Sequence, residues 1–131
     1  MDNEPTAGLN RVVDLIGLAN SAEARRPIWS FQGEDLNLNL IVLAAGETID
    51  EHVNREVEVL LLGIAGEGEV AIEDTTHLLR AGGALIVPKG ARRSIKSTHG
   101  HDKFSYLTCH RRRAGLVPAV GRAGTPKSTG A

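Results

Sequence analysis

The sequence predicts an all-β domain, a barrel or a sandwich, and three observations support this prediction. Apolar and polar residues alternate in several short segments, as they do in strands with one buried face. Glycine-rich turn sequences separate these segments at short intervals, a pattern typical of antiparallel β-domains. The chain has 131 residues, 41% of them hydrophobic, which is enough for one domain with a substantial core.

The individual elements follow from the same pattern. We interpret residues 9–17 as a strand and residues 18–26 as a short helix that ends before Pro27. The regular sheet begins at residues 29–31, and later strands are predicted at residues 36–43, 57–64, 68–74, 77–79, 84–88, 93–97 and 103–110. Within the first of these later strands, Asn37 and Asn39 share one face and the apolar residues share the other.

The composition argues against several classes of function. A formal net charge of −1 gives no reason to expect nucleic acid or an anionic membrane as a partner. The chain has one cysteine, Cys109, so no disulfide forms within it, and the first ten residues lack the pattern of a signal peptide. No apolar run is long enough to span a bilayer. We therefore expect a cytoplasmic protein without membrane or nucleic acid partners.

The composition changes after His110, which suggests a domain boundary. Residues 1–110 are interpreted as one barrel domain that includes a short N-terminal arm. Residues 111–131 contain arginine and lysine but no acidic residue, and they are rich in glycine, proline, serine and threonine. We interpret them as a flexible basic tail. The tail is either a solvated end or a contact arm for nucleic acid or an acidic partner. Its charge cluster is short and lacks aromatic residues, which favours the first interpretation.

Two segments carry polar residues and glycines at fixed spacings. The first contains, in order, Gly46, His52, Asn54, Glu58 and Gly66, and the second contains Gly82, Pro88, Gly90 and Arg93. Together they resemble the paired motifs of the cupin superfamily. The first cupin motif is glycine, five residues, histidine, one residue, histidine, three or four residues, glutamate, six residues and glycine. The second is glycine, five residues, proline, one residue, glycine, two residues and histidine.

The resemblance covers roughly half of the chain, and the glycines and the proline are its most informative part because they specify tight turns. Counted from Glu58, Gly66 lies one residue beyond the position that the first motif gives to its last glycine. The other glycines and the proline lie at the motif spacings. The resemblance implies a cupin-type antiparallel β-barrel of the jelly-roll kind. It also implies a homodimer, because cupins commonly pair through a sheet face and residues 57–64 are apolar on both faces. The N-terminal segment is the alternative cover for that strand.

Metal-binding cupins hold a divalent ion with three histidines and one glutamate, and this chain departs from that set. The resemblance assigns His52 to the first histidine and Glu58 to the glutamate, whereas Asn54 and Arg93 replace the other two histidines. A guanidinium has only hydrogen-bond donors and does not bind a cation, and an asparagine carbonyl is a poor ligand for transition metals. We therefore expect no metal, or a weakly bound divalent metal on His52 and Glu58.

An ion pair between Glu58 and Arg93 is the expected substitute for the metal, since a buried carboxylate needs a partner. The alternative is that Arg93 extends to solvent and Glu58 is exposed. Tyr106 and His110 share a strand face and border the pocket if that face lines the barrel.

Three other side chains are interpreted as structural. Cys109 points away from its neighbour His110 and is expected to be a small core residue rather than a nucleophile. His99 and His101 lie in a glycine-containing turn and are interpreted as parts of a solvated loop.

Three functions remain open at this stage. The first is a small-molecule binding module whose barrel pocket uses Arg93, Asn54 and His52 to hold a small, possibly anionic, ligand. The second is a metal-dependent enzyme, an isomerase or a dioxygenase, with His52, Asn54, Glu58 and His110 as metal ligands. The third is a protein or nucleic acid interaction through residues 111–131. Arginine at position 93 favours the first function over the second.

Overall fold

The computed structural model of the chain describes residues 11–23, 27–98 and 103–111. These ranges contain one short helix, α1, at Leu15–Ser21, and nine strands. The strands are β1 Pro27–Gln32, β2 Leu36–Leu43, β3 Thr48–Val53, β4 Val59–Ala65, β5 Glu67–Ile72, β6 Thr75–Arg80, β7 Ala84–Val87, β8 Arg92–Ser97 and β9 Phe104–Arg111. The all-β prediction is confirmed. No helix in the described ranges is long and apolar enough to cross a membrane.

The helix begins earlier than the sequence pattern predicts. Residues 15–17 belong to α1 rather than to the predicted strand, and the helix ends at Ser21. The cause is local, because the Asp14 side chain accepts a hydrogen bond from the Gly17 backbone N–H at 3.0 Å and so caps the first turn. The predicted strand and helix also include residues 9–10 and 24–26, which lie outside the described ranges.

The strands form two antiparallel sheets that enclose the core. One sheet has the order β1-β2-β9-β4-β7 and the other has the order β3-β8-β5-β6. Successive strands from β2 to β5 alternate between the two sheets, which is the connectivity of a jelly roll. The core lies between the inner faces and is built from residues of both sheets, among them Ile41, Leu61, Val70, Ile95 and Phe104.

The inner face of the five-stranded sheet changes character along its length. The inward pairs of β2 and β9, taken in order, are Leu43–Phe104, Ile41–Tyr106, Asn39–Thr108 and Asn37–His110. Residues two apart on a strand share a face, so all four pairs belong to the same surface. The barrel interior is therefore apolar where β9 begins and polar where β9 ends. We call the second region the polar end.

The outer face of this sheet is apolar. Two rows of side chains cross it from edge to edge, namely Phe31–Leu38–Cys109–Leu60–Ile86 and Trp29–Leu40–Leu107–Leu62–Ala84. Cys109 is half-buried in the first row, so the prediction that it is a core residue is wrong. The strand pattern explains the difference, since His110 faces inward and its neighbour must face outward. Helix α1 packs against β1, β2 and β4 and covers part of this surface.

The motif glycines occupy turns that demand a positive φ. These angles are 80° at Gly46, 75° at Gly66, 88° at Gly82 and 87° at Gly90. Residues with a Cβ rarely adopt this conformation, which explains why glycine occurs at each of these turns. The turn prediction drawn from the paired motifs is therefore confirmed.

Lys103 connects the end of α1 to the barrel through hydrogen bonds. Its Nζ donates to the carbonyl oxygens of Ala19, Asn20 and Ala22 at 3.2, 3.0 and 2.7 Å. The last carbonyls of a helix lack partners within the helix and attract a cation. One ammonium group at the start of β9 thus satisfies three acceptors at the end of α1.

Candidate functional site

The two motif segments meet at the polar end of the barrel. The loop 54–58 joins β3 to β4, and the loop 88–91 joins β7 to β8. The Gly90 backbone N–H donates to the Asn54 carbonyl oxygen at 2.8 Å, which connects the two loops. The start of β4 also pairs with the end of β9, where Leu60 lies opposite Cys109. Strand pairing therefore brings both motifs to the polar inner side chains of β9.

His52 and Arg93 are direct neighbours across β3 and β8. Arg93 is 1% exposed, so its guanidinium lies inside the protein and not in solvent. The Nδ1 atom of His52 lies 3.1 Å from the Asp50 carbonyl oxygen. A carbonyl oxygen can only accept, so Nδ1 carries the proton and Nε2 of the neutral ring carries the lone pair. That Nε2 atom is buried and has no hydrogen-bond partner within the described ranges.

The environment of His52 favours its neutral form. Burial lowers the pKa of His52 below its ordinary value of 6.5; the hydrogen bond to Asp50 opposes this shift and the positive charge of Arg93 adds to it. The imidazole is therefore neutral near pH 7, with a hydrogen-bond acceptor at Nε2. The pairing of His52 with Arg93 across β3 and β8 and the burial of Arg93 place the two side chains in one environment.

The amide oxygen of Asn54 stabilises the loop through hydrogen bonds, whereas its amide nitrogen forms none with the described residues. Its Oδ1 accepts hydrogen bonds from the backbone N–H groups of Glu56 at 3.0 Å and Val57 at 3.3 Å. The residue is only 8% exposed, and its Nδ2 is buried with no hydrogen-bond partner in the part of the chain that the structure describes. A buried donor without a partner costs about 1–3 kcal/mol. A bound molecule with an acceptor atom at this point would recover that free energy.

Glu58 does not join these residues. It is exposed, whereas Val57 and Val59 on either side of it are 3% and 1% exposed. Neighbouring residues in an extended segment face opposite ways, so the inward valines direct Glu58 to solvent. Within the described part of the chain Glu58 forms no ion pair. The predicted Glu58–Arg93 ion pair is therefore wrong. Of the alternative, the exposure of Glu58 is confirmed, whereas the extension of Arg93 to solvent is wrong.

The motif spacing identifies the residue that replaces the inward glutamate. With four residues after Asn54, the glutamate position of the cupin motif falls on Val59, and six residues then lead to Gly66. Both intervals fit the motif. The positions that hold the ion in metal-binding cupins therefore contain His52, Asn54, Val59 and Arg93.

This set does not fit a metal centre. The side chain of Val59 has no donor atom, and the guanidinium of Arg93 repels a cation. The described residues contain no group of three or more His, Cys, Asp or Glu that could hold a metal ion.

The far wall of the site comes from β9. Tyr106 and His110 face inward and are 0% and 5% exposed, and Thr108 lies between them. The Thr108 Oγ1 is buried and no described residue forms a hydrogen bond with it. Tyr106 stacks on Phe104, with 5.2 Å between the ring centroids and 23° between the planes. The stacked rings mark the boundary between the polar end and the apolar core.

Two polar residues of the interior, Asn37 and Asn39, were not recognised from the sequence. The Asn39 Oδ1 accepts a hydrogen bond from the Ser30 hydroxyl at 2.7 Å. The sequence feature that could have identified them is the alternation of side chains in β9. It places Thr108 and His110 on one face, opposite these asparagines. His99, His101 and the predicted tail beyond Arg111 lie outside the described ranges.

Sequence comparison gives one informative relative. No family model matches the chain. The protein SchB of Streptomyces halstedii is 34% identical over 91 residues, which cover 70% of this chain and 64% of SchB. The chain thus spans less than two thirds of the length of that relative.

Structure comparison identifies the fold. The cupin domain of Cnp3 from Schizosaccharomyces pombe superimposes with a TM-score of 0.63 at 21% identity, over 75% of this chain and 68% of that one. An uncharacterised protein with a double-stranded β-helix domain from Klebsiella pneumoniae gives a TM-score of 0.68 at 16% identity, over 80% and 92% of the two chains. These likenesses agree with the sheet topology and with the motif turns. The chain is a small domain with the cupin fold.

Proposed function

We propose that the protein is a binding module that holds a small anionic molecule at the polar end of its barrel without a tightly bound metal. The observation that supports this most directly is the buried Asn54 Nδ2, which has no hydrogen-bond partner among the residues that the structure describes. It is a donor, so an acceptor atom of a bound ligand would satisfy it. A cytoplasmic location is part of the proposal, since the cysteine at position 109 is a free thiol.

The preference for an anion follows from the charge at this end. Arg93 carries a fixed positive charge inside the protein, and that charge is felt at the His52 ring. A guanidinium binds carboxylates and phosphates with two parallel hydrogen bonds when its geometry permits. Donors from Asn54 and positive charge from Arg93 act in the same direction. An oxyanion is therefore the group that this end accommodates best.

The alternative of a metal-dependent isomerase or dioxygenase has less support. It needs a carboxylate where Val59 lies, and it needs a metal ligand where Arg93 lies. Of the four positions, only His52 offers a strong ligand for a transition metal.

Isothermal titration of the wild type with benzoate, phenylacetate, propionate and inorganic phosphate tests the proposed function. We expect at least one of these anions to bind, and Arg93→Gln to weaken that binding by about tenfold or more, because a charge-assisted hydrogen bond is lost. Arg55→Gln is the matched control, since Arg55 is an exposed arginine in the neighbouring loop.

Two results would overturn this proposal. One is that no anion binds the wild type, or that Arg93→Gln binds as tightly as the wild type does. The other is that protein purified without chelator contains one equivalent of divalent metal whose removal abolishes binding. Circular dichroism verifies that Arg93→Gln is folded, and Arg93→Lys provides a milder substitution that keeps the charge.

A further inference from the structure

We infer that the ligand of the polar end is a hydroxycarboxylate, with a hydroxyl group one or two carbon atoms from its carboxylate. This inference rests on the proposed function and narrows the ligand to one chemical class. It follows from the different hydrogen-bonding roles of two buried atoms at this end that lack a partner among the described residues, the Nδ2 of Asn54 and the Nε2 of His52. The Thr108 hydroxyl can either donate or accept, so it does not discriminate between ligands.

The two atoms require opposite partners. The amide nitrogen of Asn54 is a donor, and a carboxylate oxygen satisfies it. The Nε2 of His52 is an acceptor, because the hydrogen bond to the Asp50 carbonyl oxygen fixes the ring proton on Nδ1. A carboxylate has no hydrogen to donate, so a simple carboxylate leaves His52 Nε2 buried and unsatisfied. A ligand that satisfies both atoms must also carry a donor.

The pairing of His52 with Arg93 favours a ligand in which the donor and the carboxylate are close together. His52 and Arg93 are paired across β3 and β8, and Asn54 follows His52 by two residues. Side chains that face each other across a strand pair have Cβ atoms roughly 4.5–5.5 Å apart. Groups that contact neighbouring side chains at this distance are separated by only a few bonds. A hydroxyl on the α or β carbon of an acid meets this condition.

The hydroxyl is favoured over an amine as the donor. A protonated amine would place a second positive charge beside the buried guanidinium of Arg93, which repels it. A neutral hydroxyl donates to His52 without that cost. The lowered pKa of His52 supports this assignment, since the ring remains neutral and its Nε2 remains an acceptor near pH 7.

Matched ligands that differ in one group test the inference by isothermal titration at pH 7.5. The pairs are mandelate with phenylacetate, lactate with propionate, and 3-hydroxybutyrate with butyrate. We expect the hydroxy acid of at least one pair to bind about tenfold tighter than its deoxy partner, because one buried acceptor gains a hydrogen bond. α-Methoxyphenylacetate keeps the oxygen but lacks the donor, and it should bind no tighter than phenylacetate.

Variants of His52 connect the preference to one atom. In His52→Phe the ratio of the two affinities should fall to about one, since the acceptor is removed. In His52→Gln part of the ratio should return, because the amide oxygen can accept the same hydrogen bond. Ratios are compared within each variant, so a general change in affinity does not affect the result.

The outcomes separate this inference from the proposed function. If each deoxy acid binds as tightly as its hydroxy partner, and binding still depends on Arg93, the protein is an anion-binding module and the hydroxycarboxylate inference is wrong. Inorganic phosphate binding tighter than every hydroxy acid also overturns the inference while leaving anion binding intact. If none of the carboxylates or phosphate binds, both are wrong. A hydroxy-acid preference that persists in His52→Phe contradicts the role assigned to His52.

Discussion

At the scale of single residues, the difference between positions 58 and 59 determines whether a carboxylate faces the barrel interior, where it could bind a metal. Glu58 and Val59 are neighbours, and only Val59 faces the interior. A carboxylate at position 59 would lie beside His52 and Asn54, as the glutamate does in the metal-binding motif. In this chain an alkyl group fills that place, and a buried guanidinium replaces one of the histidines. These two replacements are the basis of the proposal that the interior binds an anion rather than a cation.

Restoring the metal ligands tests this assignment. The double variant Asn54→His with Arg93→His supplies the missing histidines, and the triple variant adds Val59→Glu. We expect the triple variant to bind Zn²⁺ or Mn²⁺ at least about tenfold tighter than the double variant, because loss of even an outer-shell partner costs about that much. Titration calorimetry measures both affinities.

Glu58 supplies the control for this experiment. Adding Glu58→Gln to the triple variant should leave the metal affinity unchanged, because the side chain faces solvent. If the double variant binds metal as tightly as the triple variant, and Glu58→Gln removes that binding, then Glu58 is the ligand and Val59 is not.

The sequence predicted part of this site for physical reasons that can be identified. His52, Asn54 and Arg93 were assigned together because their spacing from the motif glycines is fixed, and the glycines are fixed by the positive φ of their turns. Glu58 was misplaced because the motif permits three or four residues before the glutamate, and the two spacings point to opposite faces. The displacement of Gly66 by one residue was the signal for the longer spacing.

At the scale of elements, alternation reveals the two faces of a strand but not which face is buried. Strand β2 was predicted with the bounds that the structure shows, Leu36–Leu43. Its asparagines face inward, because they pair with the buried side chains of β9, and its first leucines face outward. The period-two pattern is the same in both orientations. Only the tertiary pairing of β2 with β9 settles the orientation, and a single strand does not contain that information.

Helix α1 depends on a contact with a distant residue. The three hydrogen bonds of Lys103 join its end to the start of β9. An isolated helix of this length is not stable by itself in water. Its stability must therefore come from tertiary contacts, of which Lys103 is one.

Lys103→Met should release the end of α1. We expect a loss of about 1–3 kcal/mol in the free energy of unfolding, because several acceptors lose a charged donor. Hydrogen exchange of the amides of residues 15–21 should accelerate, and chemical denaturation measures the free energy. Lys89→Met is the matched control, since Lys89 is exposed and forms no hydrogen bond or ion pair within the described ranges. Unchanged exchange in Lys103→Met would show that packing alone holds the helix.

At the scale of the whole molecule, we propose that the part of the outer face of the five-stranded sheet that α1 leaves uncovered binds a second subunit. Two apolar rows cross all five strands, and Ile86 at the β7 edge is 53% exposed. Large apolar patches on a soluble protein commonly mark interaction surfaces. A twofold axis through this face would bring the same rows of two copies together.

We expect the protein to be a homodimer that uses this surface. Ile86→Glu should convert the dimer to a monomer, because it places a charge at the interface. Leu78→Glu is the matched control, since Leu78 is 51% exposed but lies on the outside of the other sheet. Multi-angle light scattering at micromolar concentration measures the mass. A monomeric wild type, or equal dissociation of the two variants, contradicts this expectation.

The composition of β2 has a consequence for how such barrels diversify. Residues 40–43 are apolar on both faces, so the core contacts at that end survive a shift of the strand by one residue. The same shift at residues 36–39 exchanges two asparagines for two leucines inside the barrel. The hydrogen bond from the Gly33 N–H to the Leu36 carbonyl, 2.8 Å long, closes the turn that sets this alignment. A deletion or insertion of one residue in that turn would therefore convert a polar barrel end into an apolar one without any substitution in the strand.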